Sequence, residues 1–129
     1  MKFSTRSEYG LRAIVRLDKI AKKAVSLASI AHKEELSLAY LERLFALLKK
    51  ADLVKADKGV KGGYYLARQA KQISVLQIIE ALEGTVAPFV CVGGSDYKCS
   101  SGCRIHPVWR KLYSRITKTL SSIKLNSIM

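Results

Sequence analysis

The chain has 129 residues, with 23 Lys plus Arg against 10 Asp plus Glu and nearly half its residues apolar. That size suits one domain, with room for an appended dimerisation element, and a core that needs no disulfides. A net charge of +13 points to a polyanionic partner, nucleic acid or an anionic membrane surface, with an unpartnered solvated basic surface as the bland alternative.

The charge excess is spread out: residues 1–70 carry 15 basic and 7 acidic side chains, residues 71–129 carry 8 and 3. No apolar run approaches the roughly 18 residues a membrane span needs. Arg6, Arg12, Arg16 and Asp18 interrupt the place where a signal peptide would have its apolar region, so a cytoplasmic protein with no membrane partner is expected. In that reducing compartment three cysteines read as ligands or reactive thiols, and their odd number argues against simple pairing.

In chain order, Ser4 is placed to cap a first helix running from about Thr5 to Lys22. Its buried stripe is Ala13, Ile14, Leu17, Ile20 and Ala21 at spacings of three and four. Ser26 can cap a short helix that buries Leu27, Ile30 and Ala31. After a turn at Glu35–Leu36, Ser37 can cap a helix with Leu38, Leu41, Leu44, Phe45 and Leu48 inward. Ala39, Tyr40, Glu42, Arg43 and Lys50 of that helix face outward. Two short amphipathic helices joined by a tight turn are the pattern of a helix-turn-helix.

The period then changes. Leu53–Ala56 and Tyr64–Ala67 read as strands around the Lys- and Gly-rich turn 57–63, which makes a hairpin wing. A phosphate cradle is a weak alternative for that turn, because the Lys-Ser/Thr ending of a P-loop is missing and no helix follows at once. Ser74 and Gln77 form a potential capping box for a helix through Leu82 that Gly84 stops, with Val75, Leu76, Ile78, Ile79 and Leu82 mostly buried. Residues 85–105 read as irregular and hold all three cysteines. Pro107 suits the first turn of a last helix. Along it Trp109, Leu112, Ile116, Thr119 or Leu120, and Ile123 recur near heptad spacing. Such a seam is suited to a partner subunit, or equally to folding back on the chain's own core. The expected fold class is mainly α with a small β wing. Residues 1–70 make a winged helix-turn-helix DNA-binding domain; residues 71–129 make a cysteine-bearing loop and dimerisation helix.

Two groups of residues can carry chemistry. Ser37, Tyr40, Glu42 and Arg43 stand at the N-terminal end of the second short helix, where a recognition helix presents side chains to bases and phosphates. Arg43 can pair with guanine and Glu42 can accept from cytosine, while Lys58 and Lys61 on the wing can enter a minor groove or hold phosphate. Cys91, Cys99, Cys103 and His106 form the other group, three thiols and an imidazole in a stretch that Gly93, Gly94 and Gly102 allow to bend. Such donors suit an iron–sulfur cluster or structural zinc. A two-thiol redox switch and three unrelated thiols also fit, and His106 can instead cap the helix that Pro107 opens. A thiol enzyme is disfavoured, since His32 falls on the helix-turn-helix and His106 in the cysteine loop, leaving no evident general base.

The opening Met1–Ala13, the run Ser37–Phe45, the wing end Gly62–Leu66 and the run Cys103–Trp109 together resemble the Rrf2 family of bacterial transcription regulators, in particular its cysteine-bearing iron–sulfur branch. The resemblance extends over almost the whole chain. It implies a homodimer that crosses its long C-terminal helices and sets a helix in the major groove and a wing in the minor groove of an operator duplex. It implies cluster ligation by Cys91, Cys99 and Cys103, with His106 at the position of a histidine ligand, which points to 2Fe–2S rather than 4Fe–4S. It also gives Glu42 a base contact and puts Lys58 where the branch has a wing arginine. Cluster state would then set the loop 91–106 and the spacing of the two reading heads, most simply in a repressor.

Overall fold

The computed structural model describes residues 2–17, 23–60, 62–93 and 103–129. Helix α1 (Thr5–Ile14) starts where expected, with the Ser4 hydroxyl accepting the Arg6 N–H at 3.2 Å. It stops well before Lys22. Past Ile14 the hydrogen bonds tighten to a three-residue spacing (Arg16 N–H to the Ala13 carbonyl, Leu17 N–H to the Ile14 carbonyl). This tight turn still puts Leu17 in the core beside Ala13 and Ile14, and it lets Arg16 pair with Glu34 at 2.6 Å. Ile20 and Ala21 lie outside the described residues.

Helix α2 (Leu27–Glu34) is capped by Ser26 and buries Leu27, Ile30 and Ala31. Glu35 closes it in the left-handed region at φ 56°, and the Leu36 N–H returns to the Ala31 carbonyl at 2.9 Å. That sharp reversal sends the chain through Ser37 into α3 (Leu38–Lys50), which buries Leu41, Leu44, Phe45 and Leu48. Leu38, expected inward, is 43% exposed. The first turn of α3 overhangs the edge of the core and puts Leu38 at the rim of a shallow hollow shared with α2 and the wing.

Strands β1 (Val54–Asp57) and β2 (Gly63–Leu66) pair antiparallel with Val54 opposite Leu66 and Asp57 opposite Gly63. Each expected strand is displaced by one residue. The hairpin is tied to the segment before α2 by a reciprocal pair of hydrogen bonds between Val25 and Tyr64, both 2.8 Å. Gly63 is required there, because a Cβ at that position would collide with the Val25 carbonyl.

Helix α4 (Val75–Glu83) opens on the expected capping box. The Ser74 N–H donates to Gln77 Oε1 at 2.9 Å and the Gln77 N–H to Ser74 Oγ at 3.2 Å. Leu76 is only half-buried. Gly84 ends the helix at φ 94°, a conformation that side chains disfavour. The following segment is not wholly irregular: Val90–Val92 form a 3-10 turn with Cys91 at its centre. Helix α5 (His106–Ser122) has Pro107 in its first turn.

The main core draws on α1, α2, α3 and β1, and also on Ile73, Ile78, Leu82 and Leu125. Leu125 reaches it because the chain after α5 returns beside Ile73, the Leu125 N–H donating to the Ile73 carbonyl at 2.8 Å. A second cluster centres on Val75, Ile79 and Val86, with Tyr113, Ile116, Leu120 and Ile123 of α5 packed against it. The seam read from the sequence is therefore split. Its Ile116, Leu120 and Ile123 fold back on α4, while Leu112 stays 39% exposed beside Val108 at 57%. Among the described residues no helix is long and apolar enough to cross a membrane.

Candidate DNA interface and cysteine site

Ser37 Oγ accepts the Tyr40 N–H at 3.0 Å, so this side chain fixes the start of α3. Tyr40 is half-buried and does not simply face outward. Its ring meets Tyr9 of α1 edge to face, with centroids 6.2 Å apart at 85°. The Arg43 guanidinium carbon lies 5.7 Å from the Tyr40 ring centroid, within the range of a cation–π contact. The Tyr40 and Thr5 hydroxyls are 3.5 Å apart. Tyr40 thus braces Arg43, and α1 braces Tyr40. Glu42 and Arg43 are exposed, and Glu42 borders the same hollow as Ala56 and Asp57 at the base of the wing. Lys58 is exposed on the wing turn; Lys61 lies outside the described residues. An exposed helix start with one basic and one acidic side chain, flanked by a lysine-bearing hairpin, has the form of a surface that can enter a major groove and meet its neighbouring backbone.

The contribution of α1 escaped the sequence reading, as did the carboxylate that anchors it. Glu83 Oε1 accepts from the Ser4 N–H at 2.8 Å, the Ser4 hydroxyl at 2.6 Å and the Ser7 hydroxyl at 2.8 Å. Arg6 adds an ion pair to Oε2 at 3.6 Å. The usable signal was a serine at the cap and another three residues on, a polar pair that needs a buried acceptor. Its acceptor, 76 residues further along, has no mark in the sequence.

Burial pushes the Glu83 carboxyl up, but the bonds from Ser4 and Ser7 and the charge of Arg6 outweigh it and hold the group below its ordinary 4.5. A carboxyl depressed in the folded state stabilises the fold above its unfolded value and ceases to do so as pH falls through the folded one. Thermal stability is therefore expected to drop as pH falls below about 4.5, the ordinary value, and to drop less steeply in Glu83→Gln. Equal acid profiles for the two proteins, measured by circular dichroism melts, would contradict the assignment.

In the segment between α4 and α5 the Cys91 sulfur lies 3.4 Å from His106 Nδ1, across fifteen residues of sequence. His106 is the first residue of α5 and is not its cap; that position falls to Ile105, whose side chain makes no capping bond. Cys91 is half-buried, Cys103 is exposed three residues before His106, and Cys99 lies outside the described residues. Among the described residues no three Cys, His, Asp or Glu side chains converge in a metal-holding group. The two donors that do meet, a thiol and an imidazole, fit zinc or an iron–sulfur centre. They line a shallow hollow with Arg110, Tyr113, Ser114 and Thr117 on successive turns of α5. Phe89 stacks on Trp109 beside it, at 5.8 Å and 15°.

The helix-turn-helix and the wing define a winged-helix transcription regulator that binds DNA. The chain belongs to the Rrf2 family, whose profile, described as an iron-dependent transcriptional regulator, matches residues 3–129. It is 37% identical to the HTH-type transcriptional regulator IscR of Vibrio vulnificus over 130 aligned positions, covering all of this chain and 77% of that one. Among solved structures it is similar to IscR of T. potens (38% identity, TM-score 0.75, covering 99% of this chain and 85% of that one). It is also similar to CymR, the global cysteine regulator of B. subtilis (30% identity, TM-score 0.80, covering 99% and 95%). The relatives are regulators of transcription, and this protein is a regulator and not an enzyme.

Proposed function

We propose that this regulator represses its target genes according to iron–sulfur, redox or nitric-oxide status, through a cluster held by Cys91, Cys99, Cys103 and His106. The observation that carries the reading is the 3.4 Å approach of Cys91 Sγ to His106 Nδ1, since a mixed thiolate and imidazole set favours 2Fe–2S over 4Fe–4S. A bound cluster supplies a group that gains and loses electrons and reacts with small oxidants. The chain's own part is to hold the 91–106 loop between α4 and α5, so that a change in ligation repositions one helix against the other. The protein acts in the cytoplasm as a homodimer on an operator duplex. Residues 1–70 form the reading head, with Ser37, Tyr40, Glu42 and Arg43 toward the major groove and Lys58 and Lys61 toward the adjacent backbone or minor groove. Residues 71–129 sense and dimerise.

Purified without oxygen, the protein is expected to absorb in the visible and to contain iron and sulfide. Each of Cys91→Ala, Cys99→Ala and Cys103→Ala should abolish the absorption, while His106→Ala should shift it or shorten its lifetime. A second reading draws on the likeness to a cysteine regulator: the same residues form a structural zinc site or a thiol switch. Colourless protein with stoichiometric zinc, or no metal after anaerobic reconstitution, would sink the first reading in favour of the second.

A further inference from the structure

The anchoring of Glu83 has a bearing on how the segment carrying Cys91 and the start of α3 communicate. Glu83 is the last residue of α4, eight positions before Cys91. Three residues beyond Glu83, Val86 is buried between α4 and α5, against the cluster that includes Tyr113 and Ile116. Phe89 then stacks on Trp109. The segment leading to the cysteine is thus fastened to α5 at both Val86 and Phe89. In the other direction, the Glu83 carboxylate takes the cap residue of α1, its Ser7 hydroxyl and its Arg6. Thr5 and Tyr9 of that same helix flank Tyr40, on which Arg43 rests.

We propose that Glu83 is a positioning residue that couples the segment 85–93 to the DNA-facing end of α3, by holding the N-terminus of α1 against Tyr40. This rests on the reading of α3 as the helix that meets DNA, and it does not require that a cluster be bound. The side chain suits the task. It is only 13% exposed, so its bonds are sheltered from water, and it links two rigid helices through their ends. A displacement of α4's last turn is then carried to α1 and not absorbed in a loop. Coupling between sites is reciprocal: if the segment biases α3, then DNA held by α3 biases the segment.

Trp109 is the only tryptophan in the chain and stacks on the segment itself, which makes its emission the natural readout. Metal-free protein is titrated with a duplex selected from a random pool by the wild-type protein. The wild type is expected to change its Trp109 emission as DNA saturates. Glu83→Gln should still bind, with affinity weakened roughly 2- to 30-fold, the range for residues that modulate coupling without touching either ligand, and should lose more than half of the emission change. Ser7→Ala removes one of the bonds and leaves the Ser4 cap intact; it should lose a smaller share, and it decides the matter alone if Glu83→Gln does not fold. Arg43→Ala tests the underlying reading: it should weaken binding while leaving the emission of the free protein unaltered. Wild-type affinity in Arg43→Ala overturns the role of α3 and the proposal with it. An absent emission change in the wild type, or a full change in both Glu83→Gln and Ser7→Ala alongside a weakened Arg43→Ala, overturns the coupling alone.

Discussion

Truncation of Phe45 to Ala is expected to lower folding stability by about 3–5 kcal/mol, the usual cost of deleting a buried aromatic side chain and leaving a cavity. Phe45 is fully buried on the inward face of α3. Its ring meets Tyr64 of β2 edge to face, centroids 5.0 Å apart at 68°, a geometry that adds to simple burial. Tyr64 in turn is the wing residue that pairs with Val25. The ring therefore sits at the joint between α3 and the wing. In a domain of this length the loss corresponds to a fall in thermal midpoint of roughly 10–20 °C. Phe45→Leu, which keeps most of the volume, should cost less than half as much. A loss below about 1.5 kcal/mol in denaturant unfolding of Phe45→Ala would mean that the core closes over the gap, against the close packing expected there. In protein that remains folded, DNA affinity should also fall, because the wing loses the contact that sets its angle to α3.

The helix starts were legible because capping is local. Ser4, Ser26, Ser37 and Ser74 each cap the helix assigned to them, with their hydroxyls accepting from backbone N–H groups within three residues. The wing was legible because Gly and Lys interrupt two short apolar runs. What periodicity could not supply was the edge of the core. Leu17 follows the helical stripe, yet it is carried inward by a tightened turn after the helix has ended. Leu38 also follows the stripe, yet overhangs the core and stays exposed. The polar residues at the start of α3 are visible in the sequence; that Tyr40 is a bracket between Tyr9 and Arg43 depends on where α1 crosses α3, which no local pattern encodes. The pairing of Cys91 with His106 was legible as donor chemistry only. Their approach, across fifteen residues of sequence, is a tertiary contact that no local pattern marks.

The apolar face of α5 yields the second large expected effect, and it separates two roles that the sequence merged. Ile116 packs on Val75, Ile79 and Val86 of its own subunit. Leu112, one turn earlier, is 39% exposed, and Val108 before it 57%. Exposed leucine and valine on one edge of a helix, whose other edge is already covered, are the residues a second copy would bury. In the proposed homodimer, Leu112→Glu should therefore leave the subunit folded and weaken self-association by roughly 100-fold or more, because a two-fold axis through this edge would bring each new carboxylate near its copy, with both losing water. Binding to a two-half-site operator should fall with it. Ile116→Glu should behave differently, since it sets a charge from a half-buried position against the apolar cluster of its own subunit; the fold itself should lose about 1–3 kcal/mol. Sedimentation equilibrium and thermal melts on the two variants distinguish the roles. A dimeric, unperturbed Leu112→Glu would exclude this edge of α5 from the dimer contact. A stable monomer from Ile116→Glu, with an unchanged melt, would show that the residue faces a partner in solution and not α4.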